Sequence, residues 1–261
     1  MKNVIVIPIY KVRLTEYEIT SLKQCFKILG KHPIKFVAPN NLDLSVYNNV
    51  LEKPIEVEYF NSHFFKNISG YNQLMLSKEF YERFSHYNYM LVYQLDCYVF
   101  RDELDFWCLK GYDYIGAPWL DYRFYSMRKT EKLKFLIKRL ANNKVLGKKY
   151  VNKDTLVYNV GNGGFSLRKI SKFLETLRFT SKDIIEDFSK SNEPSEIKNE
   201  DIFWSFEAKN IKKPNYKIAA KFSLEQHPFL GMRLNSNQLP FGCHAWDKKY
   251  SFWKDYIDLA Q

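Results

Sequence analysis

The stretch "YMLVYQLDCYVF" occupies residues 89–100. From Tyr89 to Leu95 it is apolar but for Gln94, the pattern of a strand buried on both faces. It ends on a single carboxylate, Asp96. In open α/β sheets ligands bind beyond the carboxyl ends of the strands. A carboxylate placed there can hold a hard divalent cation, which in turn binds phosphate oxygens. Asp after a strand is also a common turn residue, and the strand alone does not separate the two readings.

The flanking sequence supplies the sheet to which such a strand would belong. "VIVIPIY" (4–10) reads as a first buried strand. A helix follows: Thr15 and Glu18 have capping-box spacing, Ile19, Leu22, Phe26 and Leu29 keep a helical period, and Gly30 stops it. "IKFVAP" (34–39) and "IEVEYF" (55–60) are further strands, and "YNQLMLSKEFYERF" (71–84) is a helix. Strands alternating with helices predict an α/β fold, a mixed but mostly parallel sheet flanked by helices. Downstream, "YDYIGAPW" (112–119) is a strand running into a turn, and "YNVGNGGFSLR" (158–168) is a Gly-rich turn feeding a strand. "ISKFLETLRF" is a helix, and "NEDIFWSFEAK" (199–209) opens another with acids in its first turn, where the helix dipole favours them. "YKIAAKFSLE" (216–225) reads as a strand and "LPFGCHAWDK" (239–248) as a loop. No repeat or linker divides the chain. We expect one domain over residues 1–261 with an insertion at about 123–153.

Charge singles out that insertion. The chain carries a net +11, and residues 123–153 hold eleven Lys or Arg against one acid, Glu131. Within residues 130–142, Leu133, Leu136, Ile137 and Leu140 share a helical face, with Lys132, Lys134, Lys138 and Arg139 on the other sides. Helices of this kind lie on anionic membrane surfaces. An ordinary helix packed on the domain would mix both charge signs, so a membrane or acidic-acceptor surface is expected here. A nucleic-acid partner is not expected: the charge sits in one insertion, and no RRM, KH or zinc-finger pattern accompanies it. The 19 Tyr, 21 Phe and 5 Trp fit a large core better than stacking sites. No window approaches the ~18 apolar residues of a membrane span, and the N-terminal apolar run has no signal-peptide cleavage site. Cys25, Cys97, Cys108 and Cys243 have no metal-type spacing. We expect a reduced, cytoplasmic protein, peripheral on the membrane where it touches one.

Three other segments carry candidate chemistry. Glu200 and Asp201 are adjacent acids at a helix start. Such acids are usually a solvated cap, but the "IFWSF" that follows would hold this turn against a core, where one acid could act as a general base. His244, in "FGCHAWDK", could complete a metal site, contact a diphosphate or be a hydrogen-bonded loop residue. "GNGG" (161–164) lets backbone approach a ligand closely. Without a following helix it is not a dinucleotide loop, and it fits a sugar-binding wall or a plain turn.

The order of these features, with "YNQLMLSKEFY", "YQLDCYVF", "YDYIGAPW", "VGNGGFSLR", "NEDIFWSF" and "PFGCHAW", resembles a bacterial glycosyltransferase-like family of unknown function in the GT-A superfamily. The resemblance spans residues 4–247, and "YIGAPW" followed by "VGNGGFSLR" is its most specific part. It implies a GT-A fold and a nucleoside-diphosphate sugar donor, UDP-sugars favoured, bound over the carboxyl edge of the sheet. Pro8 and Tyr10 would line the nucleotide pocket, and Asn72, Gln73, Ser77 and Gln94 would flank the donor. Asp96 would take the first place of the D-x-D motif that binds Mn²⁺ or Mg²⁺, with His244 as a late metal or diphosphate contact. Trp119, Asn162, Gly163 and Gly164 would form an acceptor or sugar wall. Asp201 would be the base of an inverting transfer to a hydroxyl of a glycan or lipid-linked saccharide in bacterial surface polysaccharide synthesis, with Glu200 touching acceptor or capping the helix. The chain departs from the pattern in reading D-C-Y. Tyr98 is a poor hard-metal ligand at neutral pH, with an unperturbed pKa of about 10. Either Asp96 and His244 hold the metal with waters and phosphates, or cationic side chains replace it. A catalytically inactive, saccharide-binding GT-A domain is the competing reading.

Overall fold

The computed structural model describes residues 2–135, 137, 153–190 and 197–260. Its central sheet has six strands in the order β3-β2-β1-β4-β7-β6. They are β1 (Asn3–Pro8), β2 (Ile34–Pro39), β3 (Val57–Phe60), β4 (Tyr89–Tyr93), β6 (Tyr114–Ile115) and β7 (Phe165–Lys169). The first four run parallel, and β7 is antiparallel to both β4 and β6. A second sheet of three short strands, β5 (Cys97–Val99), β9 (Gly242–His244) and β8 (Ser223–Leu224), lies beyond the end of β4.

Period-two alternation places the core on both faces of the central sheet. On β1, Ile5 and Ile7 join Leu22, Phe36, Leu91 and Leu167 on one face. Val4 and Val6 join Met90, Val92, Phe173 and Trp204 on the other. Helix Glu16–Leu29 closes the first face and carries the expected capping box, Thr15 accepting from Glu18 N and Glu18 from Thr15 N. A third cluster, around Tyr98, Leu230, Trp246 and Trp253, sits under the small sheet. All four cysteines are free and buried.

Several segments differ from expectation, each for a local reason. The strand read as Tyr89–Leu95 stops at Tyr93. Gln94 and Asp96 lie in a turn closed by Cys97 N donating to Gln94 O at 2.9 Å, after which the chain enters β5. The helix expected over 71–84 is two, Ile68–Met75 and Lys78–Arg83, because Ser77 caps the second by accepting from Phe80 N. Residues 216–225 are mainly helix, Tyr216–Phe222, since the Asn215 side chain accepts from both Lys217 N and Ile218 N as an N-cap. The "FGCH" loop contains a strand, β9, held between β5 and β8. The 199–209 helix is a single α-turn, Glu200–Ile202, followed by a π-turn, Phe203–Glu207, in which Ala208 N bonds Phe203 O. Such π-turns recur at functional sites.

In the basic segment, Leu136, Lys138, Arg139 and Leu140 lie outside the described residues. Lys132 and Lys134 are described; Leu133 and Ile137 beside them are 59% and 57% exposed, so these two apolar side chains are not packed on the domain. Among the described residues no helix is long and apolar enough to cross a membrane.

Candidate active site

Strands β1 and β4 are neighbours, while their sequence partners β2 and β3 lie to one side and β7 and β6 to the other. That is a topological switch point, where an open sheet leaves a crevice at its carboxyl edge. A cavity of about 560 Å³ opens there, and its lining includes Pro8, Tyr10, Tyr71, Gln94, Asp96 and Asp247. Its size lies in the range of small-molecule sites.

A polar cluster adjoins this cavity. Pairing of β5 with β9 sets Cys97 opposite His244 and brings the imidazole beside Asp96. His244 Nε2 lies 3.2 Å from Asp96 Oδ1 and 3.3 Å from Gln94 Oε1. Its other nitrogen, Nδ1, faces Glu225 Oε1 at 3.6 Å. Glu225 is held in turn by Asn162 Nδ2, and Asn162 Oδ1 accepts from Gly164 N at 3.2 Å. The glycines of "GNGG" are there for clearance. A Cβ on Gly164 would stand 2.1 Å from His244 Nε2, and one on Gly163 1.9 Å from Glu200 Oε1. Asn162 itself takes a left-handed backbone, φ 74°.

Beneath the same turn lies a buried ion pair. Arg168, fully buried on β7, donates to Glu200 Oε1 at 2.9 Å, Tyr81 Oη at 2.9 Å, Ser166 Oγ at 3.0 Å and Gly163 O at 3.3 Å. Asn72 Oδ1 accepts from Glu200 N at 3.1 Å. Glu200, expected to touch acceptor or cap the helix, is 3% exposed, stands in the first turn of Glu200–Ile202 and pairs with Arg168 through Oε1. Asp201, next in sequence, is only partly buried, and Ile202 N donates to its Oδ1 at 2.8 Å.

The family model described as "Protein of unknown function (DUF5672)" matches residues 54–244. The chain belongs to that family. No curated protein matches the sequence of this DUF5672 member. Among solved structures it is similar to the galactosyltransferase LgtC in complex with donor and acceptor sugar analogues: 14% identity, TM-score 0.55, covering 99% of this chain and 97% of that one. It is also similar to mouse xyloside xylosyltransferase 1, at 7% identity and TM-score 0.53 over 94% and 97% of the two chains. For the glycosyltransferase GlyE of Streptococcus pneumoniae TIGR4 the values are 14% and 0.52, over 99% and 61%. At these identities the likeness establishes the fold, which is GT-A.

In this DUF5672 chain Pro8, Tyr10, Gln94 and Asp96 meet on the cavity. The expected donor-flanking helix contributes Tyr71 to it, whereas Asn72, Gln73 and Ser77 are engaged elsewhere. Asn72 positions Glu200, Gln73 Nε2 donates to Ser69 Oγ at 3.3 Å, and Ser77 caps a helix. Trp119 is 9% exposed, its ring edge where a Gly161 Cβ would be and stacked on Phe206, so it supports the wall rather than presenting a face to sugar. Glu225 and Arg168 were not singled out from sequence. Each had a signal: an acid straight after the apolar-rich run of residues 218–224, and a cation inside an otherwise inward-facing strand.

The charges act on one another. Burial lowers the basicity of His244, but Asp96 and Glu225 on its two sides outweigh that and push it up to about 10. Burial opposes ionisation of Asp96, yet His244 and Lys248 hold its carboxyl below the ordinary range. Asp201 goes the other way: burial, then the negative charges of Glu200 and Glu225, push it up to about 7. A divalent cation suits the cluster. Asp96 Oδ1 and His244 Nδ1 are buried and have no hydrogen-bond partner, and the oxygen lies beside an imidazole nitrogen. A carboxylate oxygen beside an imidazole nitrogen is a donor pair that a divalent cation can use. Tyr98 takes no part: its ring packs on Trp246 at 5.8 Å and Phe100 at 5.2 Å in the third core cluster.

Proposed function

We propose that the protein is an inverting glycosyltransferase. It moves a sugar from a nucleoside-diphosphate sugar to a hydroxyl of a glycan or lipid-linked saccharide, in bacterial surface polysaccharide synthesis. The observation that carries this reading is the switch-point cavity that ends on Asp96, with His244 3.2 Å from that carboxylate. Tyr10 and Tyr71 offer rings for a nucleoside base, and the polar end suits a diphosphate. UDP-sugars are the first donors to test. Asp96 and His244 would hold Mn²⁺ or Mg²⁺, and such a cation when bound stabilises charge on a leaving diphosphate. Asp201 accepts the proton of the acceptor hydroxyl. Among the described residues it neither forms an ion pair nor touches His244, and a value of about 7 suits proton acceptance near neutrality. The basic insertion, through Lys132, Lys134, Lys138 and Arg139, would hold the enzyme to an anionic membrane face or acidic acceptor, with the domain on the cytoplasmic side.

The test is a donor panel with Mn²⁺, followed by NMR of the product anomer. Inverted configuration and loss of transfer in Asp201→Asn support the assignment. Retained configuration removes Asp201 from the base role. Donor binding with neither transfer nor donor hydrolysis would make this a saccharide-binding GT-A domain instead.

A further inference from the structure

We infer that this chain builds its divalent-cation site on Gln94, Asp96 and His244, so that the acidic motif is read as Q-x-D over 94–96 and not as D-x-Y over 96–98. The inference rests on the glycosyl-transfer reading only for the identity of the ion; the ligand set can be tested without any sugar.

Three atoms carry it. Asp96 Oδ1 and Gln94 Oε1 lie 3.2 and 3.3 Å from the same nitrogen, His244 Nε2. One imidazole N–H serves one acceptor well, and Asp96 Oδ1 is left buried without a donor. A cation among the three would satisfy both oxygens and the nitrogen together. The backbone holds them in place: Gln94 N donates to Gly164 O at 3.0 Å, Cys97 N to Gln94 O at 2.9 Å and Trp246 N to Asp96 O at 3.3 Å. Residues 94 and 96 are thus presented side by side by one hydrogen-bonded turn.

The neighbours that could replace Gln94 are occupied. Cys97 lies close enough to Asp96 and His244 to be considered as a third ligand. Its Sγ, however, donates to Gly164 O at 3.1 Å inside the main core cluster, and a protonated thiol is no ligand. Tyr98 is turned into the aromatic cluster. Glu225 reaches the far side of the imidazole, at Nδ1. From there it acts as a positioning residue: its carboxylate, 3.6 Å from Nδ1, favours the proton on that nitrogen and so leaves the Nε2 lone pair free to face the cation, as carboxylates do behind metal-bound histidines. Asn162 fixes Glu225 in that role.

The set has a consequence that a two-aspartate motif does not share. An amide oxygen stands where a second carboxylate would add a full negative charge, so restoring that charge at position 94 strengthens binding. The probe is Mn²⁺ alone, followed by the EPR signal of the free ion and by calorimetry, with thermal melts as the folding control. Gln94→Asp is expected to bind Mn²⁺ at least tenfold tighter than the unsubstituted protein, and Gln94→Ala at least tenfold weaker. Glu225→Gln is expected to weaken it by ten- to a hundredfold. Tyr98→Asp is expected to give no gain. Tightening by Tyr98→Asp with none by Gln94→Asp would overturn the inference, as would the absence of Mn²⁺ binding in both the unsubstituted protein and Gln94→Asp. Where Tyr98→Asp does not fold, the two Gln94 variants decide alone. Sugar transfer that persists in EDTA without Mn²⁺ binding would refute this site and leave the proposed function standing. Mn²⁺ binding that follows the expected order without transfer would do the reverse.

Discussion

Replacing Asp201 with asparagine should make the protein more stable and less active at once. Folding holds this carboxyl at about 7, against an ordinary value of about 3.9. The folded state therefore binds the proton more tightly than the unfolded chain. The sign follows: between pH 4 and pH 7 the unfolded chain has lost the proton and the folded state has not, so stability falls as pH rises through that window. Above pH 7 both states are ionised and the cost is constant. Each tenfold difference in proton affinity is worth 1.36 kcal/mol, so roughly three powers of ten set a ceiling of about 4 kcal/mol. Asp201 is partly open to solvent, which screens part of this, and about 1–3 kcal/mol is the working range. Asn keeps the shape and the acceptor for Ile202 N but cannot ionise. In a chain of this size, 1 kcal/mol moves the melting temperature by about 2–4 °C. Asp201→Asn should then melt roughly 3–10 °C higher at pH 8, with the gain shrinking toward zero near pH 4. Transfer should fall by about 10²–10⁴, the range for loss of a general base. The unsubstituted enzyme should lose kcat/KM below pH 7 as this carboxyl takes up its proton. Melts at pH 4, 6 and 8, with initial rates on the same samples, check all of it. An unchanged melting temperature at pH 8 would show that the burial and the acidic neighbours do not act on Asp201 as argued.

Glu200→Ala strands the buried guanidinium of Arg168 and should cost about 3–5 kcal/mol in chemical denaturation; a variant of unchanged stability but abolished transfer would return Glu200 to the chemistry. Gly164→Ala drives a methyl into His244 Nε2 and should weaken Mn²⁺ binding at least tenfold in calorimetry, with the Arg168–Glu200 pair intact. Exchanging Lys132, Lys134, Lys138 and Arg139 for Gln removes about 1 kcal/mol each at an anionic surface, so sedimentation with phosphatidylserine vesicles should weaken by two to three orders of magnitude at low salt. UDP should raise the melting temperature much less in EDTA than in Mn²⁺.

How much of this was legible in the sequence depended on whether the deciding contact was local. The helix Glu16–Leu29 was readable to the residue because its capping box, apolar period and stop lie within sixteen positions. The parallel half of the sheet was readable because buried parallel strands are continuous apolar runs. Residues 216–222 misled, since "YKIAAKF" alternates like a strand and only the Asn215 cap selects a helix. At the site, Asp96 and His244 were singled out one at a time, but no local pattern announces that β5 pairs with β9 and sets them 3.2 Å apart. Glu200 and Asp201 look equivalent in sequence. Their different environments come from Arg168, thirty-odd residues earlier, which reaches only one of them. The apolar run also hides the end of β4: the strand stops at Tyr93, and residues 94 and 96 share the turn that follows.

The charge balance of the cleft explains why these details bear on one another. Among the charged residues lining the cavity, Lys11 is paired with Glu18 at 2.6 Å, which leaves Lys66 facing Asp96 and Asp247. Glu225 adds acid on the far side of His244 and acts on Asp201, while Arg168 is spent on Glu200. Lys248 offsets part of this from beside Asp96. With His244 charged, a diphosphate entering such a cleft meets acid and base in near balance, and the acids cannot all ionise at close range without cost. An external cation reverses the local field and converts the acids from repulsive neighbours into its ligands and their support. A neutral Gln at 94 then has a physical sense: with Glu225 already supplying a second negative charge behind the imidazole, another carboxylate at that position would tighten the grip on the ion and deepen the repulsion whenever the ion is absent.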